Sequence, residues 1–370
     1  MAARAPRRRA SEVSESSAVR PAARAVVRRP GRVSVRAVAS ESELSRRRLT
    51  GLGVARSRVA AIQRVRILAA TVRAIDELGY ADTSVAGIVA RSQVSRRTFY
   101  ELFANREECL VAVLDDAVAR VALELERADL ARFAWRERLR AGLWAILSFL
   151  DREPVLARVC VVHGLGGGAA VRAQRERTLS GLAAVVDAGR FEGGRGGECT
   201  RLMSEGLVGA AYMILYTRLA EGGEPVSGLL GELLGLILLP YLGPAAARRE
   251  QARPAPSAPI FEDAGERSPS ASAADPLQGV AMRLTYRTAR VLEAAGEHPG
   301  ASNRQVADLA GIGDPGQVSK LLRRLERLGL LKNRGGGHAQ GEPNEWSLTA
   351  KGQIVTGHIR MHAPRQPETA

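Results

Sequence analysis

Residues 83–105 read TSVAGIVARSQVSRRTFYELFAN and hold two short helical patterns joined by a tight break. Val85, Ile88 and Val89 recur at helical spacing after Thr83, which is predicted to cap the first helix. Ser92-Gln93-Val94 interrupts the pattern, and Ser95 then caps a second helix over Arg96 to Phe103. That helix opens with Arg96, Arg97, Thr98 and Tyr100: two guanidiniums, a hydroxyl and a phenol, groups that suit base edges and phosphates. Asn105 is placed to cap a third helix, with Glu108 at capping-box spacing. Two short helices across a turn, the second basic at its start, are what a helix-turn-helix lays in the major groove. In a generic helical bundle with surface arginines, caps, turn and aromatic spacing have no reason to agree in this way.

Upstream, Arg56 to Leu78 reads as one long helix, with Ile62, Val65, Leu68, Val72 and Ile75 at helical spacing and Gly79 as its C-terminal cap. This helix is predicted to brace the helix-turn-helix from behind. Taken together, Val65 to Cys109 resembles the DNA-binding domain of TetR/AcrR-type transcriptional regulators. The resembling residues are Gly79-Tyr80, Thr83-Ser84-Val85, Val94 to Tyr100, Phe103 and Asn105-Arg106-Glu107. The family usually has Gly in the turn where this chain has Gln93, which in a left-handed conformation costs about 1 kcal/mol. It often has His at Leu102, whose loss removes a phosphate contact, and Lys at Arg106, where the charge is kept. The resemblance and the residue chemistry together assign Thr83, Ser84, Ser95, Arg96, Arg97, Thr98, Tyr100, Asn105 and Arg106 to double-stranded DNA.

The 370 residues allow two or three domains, and 45% hydrophobic content is enough for a real core. Aromatic residues are only 4%, so that core is aliphatic, which favours helices. The net charge of +15 is unevenly placed: residues 1–50 hold 13 Arg against 4 Glu, residues 111–244 are close to neutral, and residues 276–370 carry 13 basic against 8 acidic groups. A neutral middle between basic flanks points to nucleic acid at both ends. Residues 1–50 read as a disordered basic arm, either a solvated tail or an extra electrostatic hold on DNA. Three dispersed cysteines fit a reduced, cytoplasmic compartment. The start of the chain is arginine-rich without an apolar run, so no signal peptide is expected, and its four glutamates argue against a transit peptide. The most apolar stretch, Leu229 to Leu242, is interrupted by Glu232 and Pro240 and is shorter than the ~20 residues that span a bilayer. No membrane partner is expected.

Residues 51–108 are therefore read as the TetR-type helix-turn-helix domain and 109–244 as an all-helical domain, which the resemblance makes a ligand-binding and dimerisation domain. Its last two helical patterns are predicted to pair with a second subunit in a four-helix interface, with Gly209, Gly231 and Gly235 allowing close approach. Residues 245–275, rich in Pro, Ala and Ser, read as a linker. Residues 276–362 read as a small α+β domain. It is predicted to hold a helix over Val280 to Ala295, a second over Asn303 to Ala310, and a third over Pro315 to Leu328 capped by Asp314. A Gly-rich basic hairpin and a tail follow. The stretch NRQVADLAGIGDPGQVSKLLRRLERLGLL with its hairpin is similar to MarR-type winged helices. That places Gln317, Ser319, Lys320, Arg323 and Arg324 on the outer face of a recognition helix, and Arg334 and His338 in the wing.

Enzyme readings are thinner. Gly164-Leu165-Gly166-Gly167-Gly168 lacks a preceding strand, Cys160 and His163 lack a third orienting group, and no histidine pair outside the end of the chain has metal spacing. No catalytic residue, metal or cofactor is expected. The reading is a ligand-responsive, homodimeric DNA-binding regulator with a small-molecule effector, a repressor rather than an activator. The alternative is an adaptor whose C-terminal winged helix binds another protein.

Overall fold

The first helix, α1 (Gly51–Asp82), is broken only at Gly79, whose φ of 78° stops it where the sequence placed a cap. In the computed structural model, residues 51–127, 130, 133–192, 199–256, 277, 280, 282–335 and 343–361 are described. The basic arm and residues 257–276 lie outside them. After α1 come α2 (Val85–Ser92), α3 (Arg96–Leu102) and α4 (Arg106–Arg127). Ile67, Leu68, Val72 and Ile75 of α1 share one core with Ile88, Phe99, Phe103 and Leu110. The apolar stripe read from the sequence is thus the surface on which the two short helices rest.

Among the described residues, five longer helices carry that core onward: α5 (Trp135–Arg152), α6 (Pro154–Val161), α7 (Ala169–Asp187), α8 (Arg201–Glu221) and α9 (Leu230–Leu242), with single turns at His163–Gly166, Gly189–Glu192 and Val226–Leu229 between them. Pro at the first position starts α6, where the missing N–H costs nothing. Asp151 receives the N–H groups of Val226 (2.8 Å) and Ser227 (2.9 Å) and so closes the turn before α9. Among the described residues, no helix is long and apolar enough to cross a membrane.

Residues 244–252, at the start of the stretch expected to be a linker, form a helix, α10 (Pro244–Ala252), folded back on α9. Two side-chain features make it possible. Gly231 and Gly235 leave room for it: a Cβ on Gly231 would lie 2.6 Å from the Gln251 carbonyl oxygen. These glycines therefore serve a close approach within the chain. The buried Arg140 of α5 then pairs with buried Glu250 at 3.1 Å and donates to the carbonyls of Arg253 (3.2 Å) and Pro254 (2.7 Å).

The C-terminal part departs from expectation at both ends. Its first helix, α11 (Tyr286–Glu297), starts six residues later than Val280, because Thr285 caps it by accepting from the Thr288 N–H. Residues 282–285 stay non-helical, with the Met282 and Leu284 carbonyls taken by α1 side chains. Next come α12 (Asn303–Ala310) and α13 (Pro315–Arg327), the latter capped by Asp314 with Pro315 at its first position. Strands β1 (Leu331–Asn333) and β2 (Trp346–Leu348) pair antiparallel, Lys332 facing Ser347. The expected tail is a helix, α14 (Ala350–Met361), because Val355 and Ile359 are buried against the same core.

Removing Arg140 leaves the buried Glu250 only its longer contacts to Arg136 (3.5 Å) and Arg253 (3.7 Å). Arg140→Met is expected to cost about 3 kcal/mol, and Arg140→Met with Glu250→Leu to regain most of it, measured by denaturant unfolding.

Candidate nucleic-acid interface

Local capping fixes where each helix of the 83–105 segment begins. Ser84, not Thr83, caps α2, its Oγ accepting from the Gly87 N–H at 3.1 Å. Thr83 is buried and donates to the Gly79 carbonyl at 2.8 Å, stitching the break in α1. The expected contact from Thr83 is therefore corrected: its hydroxyl faces the protein. Gln93 takes the left-handed conformation (φ 55°, ψ 26°) that the turn requires.

Ser95 caps α3 by accepting from the Thr98 N–H at 3.0 Å, while its Oγ lies 2.8 Å from the Thr98 hydroxyl. Phe99 is fully buried and anchors the helix in the core. Tyr100 stands edge-on to Phe99, ring centroids 5.5 Å apart, and is 51% exposed. Arg96 and Arg97 are exposed beside it. The Arg97 side chain is 89% exposed and pairs with Glu101 at 2.8 Å, a surface contact worth only about 0.3–0.5 kcal/mol and readily exchanged for a phosphate. One face of α3 is thus fixed inward by Phe99, and its opposite face offers Arg96, Arg97 and Tyr100 to solvent.

Asn105 is exposed and caps α4, accepting from the Glu108 N–H at 2.8 Å. The Glu108 carboxylate accepts from the Ala104 N–H, one residue earlier than a capping box would have it. Arg106 departs most from expectation. Its guanidinium lies over the Tyr80 ring (4.6 Å to the centroid) and donates to the carbonyls of Tyr80, Ala81 and Thr83 at the end of α1. Arg106 clamps the chain between α1 and α2 instead of facing a phosphate.

Two links to the remaining helices were not legible. Arg158 of α6 makes a bidentate pair with Asp76 of α1 (2.7 and 2.8 Å), and Glu107 of α4 accepts from the Ala170 N–H at the start of α7 (2.8 Å). Arg64, exposed and lying over the Phe103 ring at 5.1 Å, adds a cation that periodicity alone did not single out. Burial pushes the Cys109 and Cys160 thiols up to about 12, so neither is a nucleophile near neutral pH.

In the C-terminal part, Gln317, Lys320, Arg323, Arg324 and Arg327 lie exposed along α13. Gln317 accepts from Arg287 at 2.6 Å, and Asp314 is held below the usual carboxylate range by the N–H groups of Gln317 and Gly316. Ser319 is half-buried against Asn303 of α12 (3.4 Å), so it belongs to the packing between the two helices and not to the outer face. Asn303 also accepts from the Trp346 indole N–H (2.5 Å) and from Asn344 (3.3 Å), fixing the hairpin to α12. Arg334 is exposed at the hairpin; His338 lies outside the described residues.

Residues 67–113, from the second half of α1 into α4, match the family described as bacterial regulatory proteins, tetR family. An uncharacterized HTH-type transcriptional regulator of Mycobacterium bovis is 25% identical over 181 residues, 47% of this chain and 79% of that protein. Mycobacterium tuberculosis proteins of the same description match equally. Among solved structures, the fatty acid degradation regulator FadR from Bacillus halodurans is similar at 19% identity and a TM-score of 0.43, covering 48% of this chain and 94% of that one. FadR from Bacillus subtilis, in complex with stearoyl-CoA, is similar at 21% identity and 0.41, covering 48% and 97%.

Relieving the left-handed strain at Gln93 offsets the backbone entropy that glycine adds to the unfolded chain. Gln93→Gly is expected to stabilise by about 0.5 kcal/mol, and Gln93→Val to destabilise by more than 1 kcal/mol, both read from thermal unfolding. Arg106→Lys is expected to cost about 1–2 kcal/mol, because an ammonium cannot span three carbonyls and stack on Tyr80.

Proposed function

We propose, from a TetR-type N-terminal DNA-binding domain at residues 67–113, that the chain is a ligand-responsive transcriptional regulator acting as a homodimer and repressing its targets. The observation that carries this reading is α3. Its Ser95 cap and buried Phe99 hold Arg96, Arg97 and Tyr100 outward on one short helix. Such a helix enters the major groove with its first residues against base edges. The exposed caps Ser84 and Asn105, and the half-buried Ser95 and Thr98 in the first turn of α3, would position the DNA backbone. Thr83 and Arg106 support the geometry without touching DNA.

A second copy is favoured by α8, where Leu202, Gly206, Ala210 and Met213 lie along an exposed apolar stripe at helical spacing. A two-fold dimer through that face relates two half-sites. A small-molecule effector in the helical domain would act through the Asp76–Arg158 and Glu107–Ala170 links, which join that domain to α1 and α4 of the reading head. It shifts occupancy only if it binds one separation of the heads more tightly than the other. We read α11 to α14 with the β1–β2 hairpin as a winged helix, α13 being its recognition helix. Gln317, Lys320, Arg323, Arg324 and Arg334 are its DNA-facing residues.

Arg97→Ala and Tyr100→Phe test the reading on a duplex selected from a random pool. Each is expected to weaken binding about tenfold, and Arg97→Ala to lower the slope of log affinity against log salt by about 0.9 if it contacts one phosphate. Unchanged binding in both variants would refute it.

A further inference from the structure

The N-terminal part of α1 does work that the helix-turn-helix does not require. Residues 56–66 lie ahead of the residues that match the tetR family. Val59 and Ile62 are buried in the C-terminal core, with Leu284, Leu292 and Val318. Gln63 donates to the Leu284 carbonyl at 2.9 Å, and Arg66, only 1% exposed, donates to the Met282 carbonyl at 2.9 Å. Arg58 faces the nearly buried Glu293 at 3.6 Å, and Arg56 lies over the Tyr286 ring at 5.4 Å.

The next residues of the same helix, Ile67 and Leu68, already belong to the core under α2 and α3. The backbone of α1 leaves helical geometry only at Gly79, beyond both attachment sites, so no hinge separates them. Residues 56–66 hold one attachment and residues 67–75 the other, so their centres lie about 15 Å apart along one unbroken helix axis. A buried arginine that donates to a carbonyl of the docked unit also fixes register, because a slipped dock breaks that bond. Both attached units carry outward cations on a short capped helix: Arg96 and Arg97 on α3, Lys320, Arg323 and Arg324 on α13.

We propose that α1 joins the two basic helical units into one stiff reader, so that each chain engages two blocks of a single continuous duplex at fixed spacing. This rests on the regulator reading above and adds to it that the second unit is not a tethered accessory. A flexible tether lets its two modules follow blocks moved apart along the duplex, whereas a continuous helix does not.

The test selects duplexes from a random-sequence pool with the full-length protein and then inserts five or ten base pairs between the blocks. Each half-site is expected to hold a second block that is not an inverted copy of the first. Either insertion should drop affinity at least tenfold, to that of the first block alone. Ile62→Asp and the gentler Arg58→Glu should lower affinity for the uninterrupted site at least fivefold while leaving first-block affinity intact, which also reports folding. Glu293→Arg in the Arg58→Glu background should restore it. Selection of a single block, recovery at ten base pairs, or uninterrupted-site binding unchanged in both variants overturns the proposal alone. Selection of no duplex overturns the regulator reading and the proposal with it.

Discussion

Burial of α1 on two sides is the constraint that the described structure depends on. Its Ile67 to Ile75 stripe supplies the floor for α2 and α3, while Val59 and Ile62 enter the C-terminal core one turn earlier. A helix so placed loses its stripe to solvent if either neighbour leaves, at about 25 cal/mol for each Å² of apolar surface re-exposed. The sharp stop at Gly79 is part of the same constraint. It turns the chain through a positive φ at the point where Thr83 and Arg106 take up the released carbonyls.

The reading head is joined to the helical domain by charge and by packing. The bidentate Asp76–Arg158 pair ties α1 to α6, and the Glu107 carboxylate ties α4 to the start of α7. Gly168 lets that carboxylate come close, since a Cβ there would lie 2.5 Å from it and the Glu107 side chain would have to shift. Carboxylates at helix N-termini are favoured by the orphan N–H groups they meet.

The helix-turn-helix was the most legible part of the molecule because its determinants are local. Ser95, Gln93, Phe99 and Tyr100 act within four residues of their partners, so the cap, the left-handed turn and the inward and outward faces follow from spacing. The reading slipped where two neighbouring residues had equal claims. Thr83 and Ser84 are both capping residues, and only packing decides that the first is buried and the second caps. Composition slipped at residues 244–252, where alanine and arginine resemble a linker until Glu250 finds Arg140, 110 residues away.

What the sequence determined by itself was the helical class, the caps at Ser95, Asn105 and Asp314, and the outward chemistry of Arg96, Arg97 and Tyr100, because each depends on periodicity or on partners a turn away. The tertiary structure alone decided that Arg106 clamps carbonyls, that α10 folds onto the glycines of α9, and that the start of α1 docks the C-terminal unit. Those choices rest on partners as distant as the 221 residues between Gln63 and Leu284. A side chain's pattern records which face is apolar; it carries no record of which distant carbonyl or carboxylate will meet it.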